Sequence, residues 1–142
     1  MAPAAAVLSA GAGYVHIAYL ESHWRDWWAY GAFFLAAGAF QLLYGPLLLR
    51  RSGPVVVLLG VAGNLAIVGM YVCSRIEGVP LGPHARVKER AGAIDVATTA
   101  VEILLVAVLL LLAGARTRRW TVNVLLVSGV ALWGLRISQG FA

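Results

Sequence analysis

Apolar positions run along this chain in blocks. Residues 3–20, 28–49, 54–73, 93–113 and 120–137 are almost wholly hydrophobic, and short charged or turn-forming segments separate them. Each block has about the 17–25 residues an α-helix needs to cross the hydrocarbon layer. A chain this short has no protein interior large enough to hide five such helices. The pattern therefore predicts an all-α, polytopic transmembrane helical bundle. It has five spans, or four if the last and shortest does not cross, within a single integral membrane domain over residues 1–142.

The connections fit that reading. "ESHWRDW" (21–27) is a wet, aromatic interface, and Arg50-Arg51-Ser52-Gly53 closes the second span. Pro54 suits the first turn of the third. The longest connection, "SRIEGVPLGPHARVKERAG" (74–92), contains the stiff turn "GVPLGP", and "GARTRR" (114–119) leads into the fifth span. Small residues around Ser9–Gly13 mimic a signal-peptide cleavage site, but no Lys or Arg precedes the apolar run, so the first block is read as a retained span.

Charge adds an orientation. Arg50-Arg51 and Arg116, Arg118 and Arg119 lie in tight turns on one side, which the positive-inside rule makes cytoplasmic. The N-terminus is then cytoplasmic, and the 21–27 loop, the 74–92 loop and the C-terminus share the extracytoplasmic face of what reads as a bacterial cytoplasmic membrane. Arg75, Arg86, Lys88 and Arg90 run against this assignment. The formal net charge of +5 does not indicate nucleic acid, because the eleven Lys and Arg residues fall almost entirely between spans and form no aromatic-interleaved basic face. Cys73 is the only cysteine, which excludes an internal disulfide and Cys-x-x-Cys redox chemistry.

Polar residues inside the spans carry the candidate chemistry. Span two has Gly31, Gly38 and Gly45 at heptad spacing, a groove for a close neighbour, with Gln41 pointing along it. Span three places Gly60 and Gly63 beside Asn64. In span one Ser9, Ala12, Gly13 and His16 form a small-polar stripe, which reaches His23 if the helix extends. Such amides and hydroxyls commonly hydrogen-bond across helices, for about 0.6 kcal/mol each.

Span four opens on "DVATTAVE". Asp95, Thr98, Thr99 and Glu102 occupy one helical face. An ionised side chain costs about 2.5–3.5 kcal/mol at a span centre, so such residues point to function. The extracytoplasmic end thus gathers His16, Glu21, His23, Glu89, Asp95 and Glu102, with His84 nearby. Imidazoles with carboxylates are a ligand set for a divalent transition metal, and His16, Glu21, His23, Asp95 and Glu102 are the candidate ligands. The competing reading pairs Arg75 or Arg136 with Asp95 or Glu102, or leaves Glu102 as a neutral acid. A third makes Asp95, Glu102, Asn64 and Gln41 a dead-end path for a proton or organic cation. Haem is not expected, since only His16 is an intramembrane histidine. Phosphate loops and an activated serine are also absent from the pattern.

At "HIAYLESH", "SRIEGVPLGP" and the Asp95/Glu102 pair, the chain resembles small multi-span membrane proteins of high-GC bacterial genomes, a family without an established activity. The resemblance covers about residues 14–113. It implies the topology and draws attention to His16, Glu21, His23, Arg75, Glu89, Asp95 and Glu102, but supplies no mechanism.

The expectation is a protein embedded in the lipid bilayer, with a pocket formed by His16, Glu21, His23, Asn64, Arg75, Glu89, Asp95, Thr98, Glu102 and Arg136. The leading function is non-enzymatic binding of a cation or small ligand. The alternatives are a transition-metal-binding protein or metalloenzyme, and a structural subunit that docks a membrane protein partner or a second copy of itself.

Overall fold

The computed structural model describes residues 1–140, with side chains as far as Leu135. It is helical, with no strand among the described residues: α1 (Ala2–Ala18), α2 (Leu20–Asp26), α3 (Trp28–Arg50), α4 (Pro54–Ile76), α5 (Ala93–Leu112) and α6 (Ala115–Gly140). The chain divides into two compact units, Met1–Leu112 and Ala113–Ala142.

In the first unit α3 packs on α1, α1 on α5, α5 on α4 and α4 on α3, so four helices close a ring. The glycine groove of α3 receives α1 and α2. A Cβ on Gly38 would lie 2.7 Å from Ile17, one on Gly45 3.1 Å from the Ala6 carbonyl, and one on Gly31 2.8 Å from the Trp24 Cα. Close backbone approach of this kind replaces the hydrophobic drive that helices lack in lipid.

The first apolar block does not run straight into the interface. It breaks at Tyr19, where α1 and α2 meet at 42°. Besides the His23 amide at 3.3 Å, the Tyr19 carbonyl accepts hydrogen bonds from Ser22 Oγ and His23 Nδ1, both at 2.8 Å, so side chains of "ESH" hold the bend. Trp27 then adopts an extended conformation and reverses the chain into α3. The segment read as a loop at 21–27 is thus mostly a short helix folded against α3.

Three helices, α3, α4 and α5, are long and apolar enough to cross a membrane, and α1 with α2 make a fourth if the bent pair is one span. The described residues therefore hold three or four candidate spans where the sequence predicts five. The difference lies at the two ends of the chain. The first block is interrupted at Tyr19, and α6 opens on Arg116, Arg118 and Arg119, which leave its described part without an apolar window of spanning length.

The α4–α5 connection is ordered by its turns. Gly78 (φ +85°), Gly82 (φ +99°) and Arg86 (φ 62°) all have left-handed backbone. Gly78 is required by space as well as conformation, since a Cβ there would lie 2.4 Å from the Arg86 carbonyl carbon. Tyr30 Oη donates to the Leu81 carbonyl at 2.9 Å, and the Arg86 amide donates to the Val79 carbonyl at 2.9 Å. These bonds fold the loop over the end of the ring.

Candidate functional site

A cavity of about 540 Å³ occupies that end of the ring. Its walls are aromatic: Tyr19, Trp27, Tyr30, Phe33, Phe34 and Tyr71 line it, together with Val79, Pro80 and Leu81 of the loop. The spacing of Tyr30, Phe33 and Phe34 places them on one face of α3, and Trp27 joins them from the extended residue that precedes the helix. Polar residues gather in two tiers, one lining the cavity and one that reaches it through His16 and Glu102.

The upper tier is an ion cluster centred on Arg75. Its guanidinium pairs with Glu89 and, at 2.8 Å, with Asp95, and donates to Ser74 Oγ at 3.1 Å. The same group lies 4.7 Å from the centre of the Tyr71 ring, a cation–π contact. The Gly92 amide donates to Asp95 at 3.0 Å and the Glu89 amide to the Ser74 carbonyl at 3.1 Å, so the cluster also ties the returning loop to α4. Arg75 Nε is buried with no hydrogen-bond partner.

Arg75→Gln should therefore loosen the loop rather than the ring. Trypsin cleavage after Arg86, Lys88 and Arg90 in detergent should accelerate several-fold, with cleavage after Arg51 as the internal reference. Equal rates at both places in variant and wild type would show that Arg75 does not hold the loop.

The lower tier is a buried hydrogen-bond chain. Ser9 Oγ donates to the Gln41 backbone carbonyl at 2.6 Å, tying α1 to α3. Gln41 Nε2 donates both to Asn64 Oδ1 at 3.0 Å and to Glu102 Oε1 at 2.7 Å, while Asn64 Nδ2 donates to the Gly60 carbonyl at 2.8 Å. Gln41 and Asn64 are fully buried and Glu102 is 2% exposed. One amide on α3 thereby joins α4 to α5 across the ring.

His16, on α1, completes the floor. Its Nδ1 hydrogen-bonds the Ala12 carbonyl at 3.0 Å, and its Nε2 faces Glu102 Oε1 at 3.9 Å, beyond hydrogen-bonding range. Glu102 has no Lys or Arg within ion-pair distance among the described residues.

Of the residues singled out in the sequence, His16, His23, Arg75, Glu89, Asp95, Thr98 and Glu102 line the cavity. Asn64 stands one hydrogen bond behind it, through Gln41. Glu21 does not line it and forms an exposed ion pair with Arg25. The Arg136 side chain lies outside the described residues. Arg75 meets Asp95 and Glu89 rather than Glu102.

The five candidate metal ligands are not drawn into one place. His23 stacks on Phe34 with ring centres 3.6 Å apart, Asp95 faces Arg75, Glu21 faces Arg25, and only His16 and Glu102 meet. No group of three or more His, Cys, Asp or Glu able to hold a metal ion occurs among the described residues. The sequence reading left out the aromatic wall, although the i, i+3, i+4 spacing of Tyr30, Phe33 and Phe34 is visible in "WWAYGAFF". It placed Gln41 in a helix seam and, alternatively, on a polar path with Asn64 and Glu102; in the structure Gln41 hydrogen-bonds both.

Comparison of the chain with protein-family models, with curated proteins and with solved structures gives no match.

Proposed function

We propose that this protein is an integral membrane binding protein, not an enzyme, whose pocket takes a small organic cation from one face of the bilayer. The observation that carries the proposal is the pairing of an aromatic wall with a carboxylate floor. The cavity ends on Glu102, whose hydrogen-bond donor is a neutral amide and which has no guanidinium or ammonium within ion-pair distance among the described residues. Aromatic faces attract cations, more strongly once water is excluded. A volume of about 540 Å³ lies within the ordinary range for small-molecule sites. Arg75 and Arg90 both line the cavity, but Glu89 and Asp95 balance their two charges, so Glu102 is the acid left over to attract a cation.

On this reading α6 is the fifth crossing. Its 26 residues extend about 39 Å at 1.5 Å per residue, enough to span the bilayer. The N-terminus is cytoplasmic and the pocket opens to the extracytoplasmic face of a bacterial cytoplasmic membrane.

The test uses three ligands with one body and different heads: cationic phenethylammonium, neutral phenethyl alcohol and anionic phenylpropionate. A bound ligand stabilises the folded state by mass action. The cation alone should raise the melting temperature of the detergent-solubilised protein in a concentration-dependent way. Stabilisation by the anion, or by none of the three, would overturn the proposal.

A further inference from the structure

We infer that the ligand's cationic head is a protonated amine carrying N–H bonds, seated between His16 and Glu102, and that the site discriminates against quaternary ammonium. This rests on the organic-cation reading above and sharpens it.

The argument starts from which atoms must donate. The Gly60 carbonyl can only accept, so the Asn64 atom bonded to it is the amide nitrogen, and Oδ1 is the atom facing Gln41. The Gln41 atom facing Asn64 Oδ1 must then be Nε2, whose second hydrogen goes to Glu102 Oε1. Both hydrogens of that amide are used. Gln41 Oε1 is buried beside the His16 side chain, and among the described residues no donor lies within hydrogen-bond distance of it.

The same logic applies to His16. The Ala12 carbonyl only accepts, so Nδ1 carries the hydrogen, and in the neutral ring Nε2 presents a lone pair. That lone pair faces Glu102 Oε1 across 3.9 Å with no donor between them. Both residues line the cavity. With Glu102 ionised and the His16 ring neutral, the floor offers two acceptors to the cavity, with Gln41 Oε1 a third beside them, and among the described residues no donor faces them.

A protonated amine supplies what is missing. A nitrogen about 2.8 Å from both Nε2 and Oε1 would see them at an angle of roughly 90°, which two N–H bonds of one ammonium can cover. A quaternary nitrogen has no hydrogen to give, and its methyl shell holds it away from both atoms. It keeps only the attraction of the aromatic wall and the distant charge. A metal ion is less well served, since it would have one imidazole and one carboxylate and no third ligand of either kind.

The experiment compares phenethylammonium with phenethyltrimethylammonium on the full-length protein in detergent, following quenching of the native tryptophans and confirming by calorimetry. The primary ammonium should bind more tightly by roughly tenfold or more, the weight of one charge-assisted hydrogen bond. Glu102→Gln should abolish that preference. If Glu102→Gln does not fold, His16→Leu, which removes the Nε2 acceptor, should narrow the preference instead. Equal binding of the two cations, or tighter binding of the quaternary one, would overturn this inference and leave the organic-cation reading standing. No binding of either would sink both. A preference retained in Glu102→Gln or His16→Leu would place the amine elsewhere and overturn the assignment.

Discussion

Gln41→Leu is expected to lower the unfolding free energy of the detergent-solubilised bundle by about 2–4 kcal/mol. An ordinary hydrogen bond between membrane helices contributes about 0.6 kcal/mol, and one lost seam bond would cost no more than that. Gln41 is different because of what its removal leaves behind. Among the described residues its amide is the only hydrogen-bond donor to Glu102, and it also satisfies Asn64 Oδ1, all within a buried layer. Leucine fills much of the same volume, so little of the effect is a cavity. The cost comes from a carboxyl and an amide oxygen left without donors.

The same reasoning fixes the control. Removing both partners with apolar side chains can be nearly neutral, so Gln41→Leu/Glu102→Leu should be more stable than Gln41→Leu alone. Reversible unfolding in a mixed-micelle titration would check both values. A single-variant loss near 0.6 kcal/mol, with no recovery in the double variant, would reduce the Gln41 layer to ordinary helix glue.

That layer also shows how far the sequence can be read. The extent of α3, α4 and α5 follows from apolar runs bounded by Arg50-Arg51, Pro54 and the charged 74–92 segment, because hydrocarbon length imposes its own ruler. The face of α5 that looks inward follows from Asp95, Thr98, Thr99 and Glu102 sharing one helical stripe. The break at Tyr19 was not legible, because nothing in "IAYLES" disrupts a helix. The break depends on Ser22 and His23 folding back onto one carbonyl.

Partners across helices were harder still. Arg75 could be placed at the end of its span, yet whether it meets Asp95 or Glu102 depends on the rotation and height of two helices. It meets Asp95, in the first turn of α5, and Glu102 is left to a neutral amide. The metal reading grouped five donors by membrane depth alone. Depth does not fix azimuth, and His23, Glu21 and Asp95 each turn to a different neighbour.

Gly60→Ala should be the most disruptive single methyl in the bundle, costing about 1–3 kcal/mol as an overpacked core. The new carbon would lie 2.1 Å from Tyr44 Oη, 2.2 Å from its Cζ and 2.8 Å from Leu109 Cδ1. Tyr44 has little room to yield. It is 1% exposed, stacks on Phe40 and donates its hydroxyl to the Val56 carbonyl at 3.1 Å. Relief must come from α4 moving off α3, and Asn64, one turn along α4 and bonded to the Gly60 carbonyl, would move with it. The strain would then reach Gln41 and Glu102, so amine binding should weaken together with stability. Gly69→Ala is the matched comparison on the same helix. A Cβ at Gly69 meets nothing within 4 Å, so the better helix propensity of alanine, up to about 1 kcal/mol, should leave that variant as stable as wild type or more so. If the two alanines were equally tolerated in the same unfolding titration, the close α3–α4 contact at Gly60 would not be what holds the floor of the pocket in place.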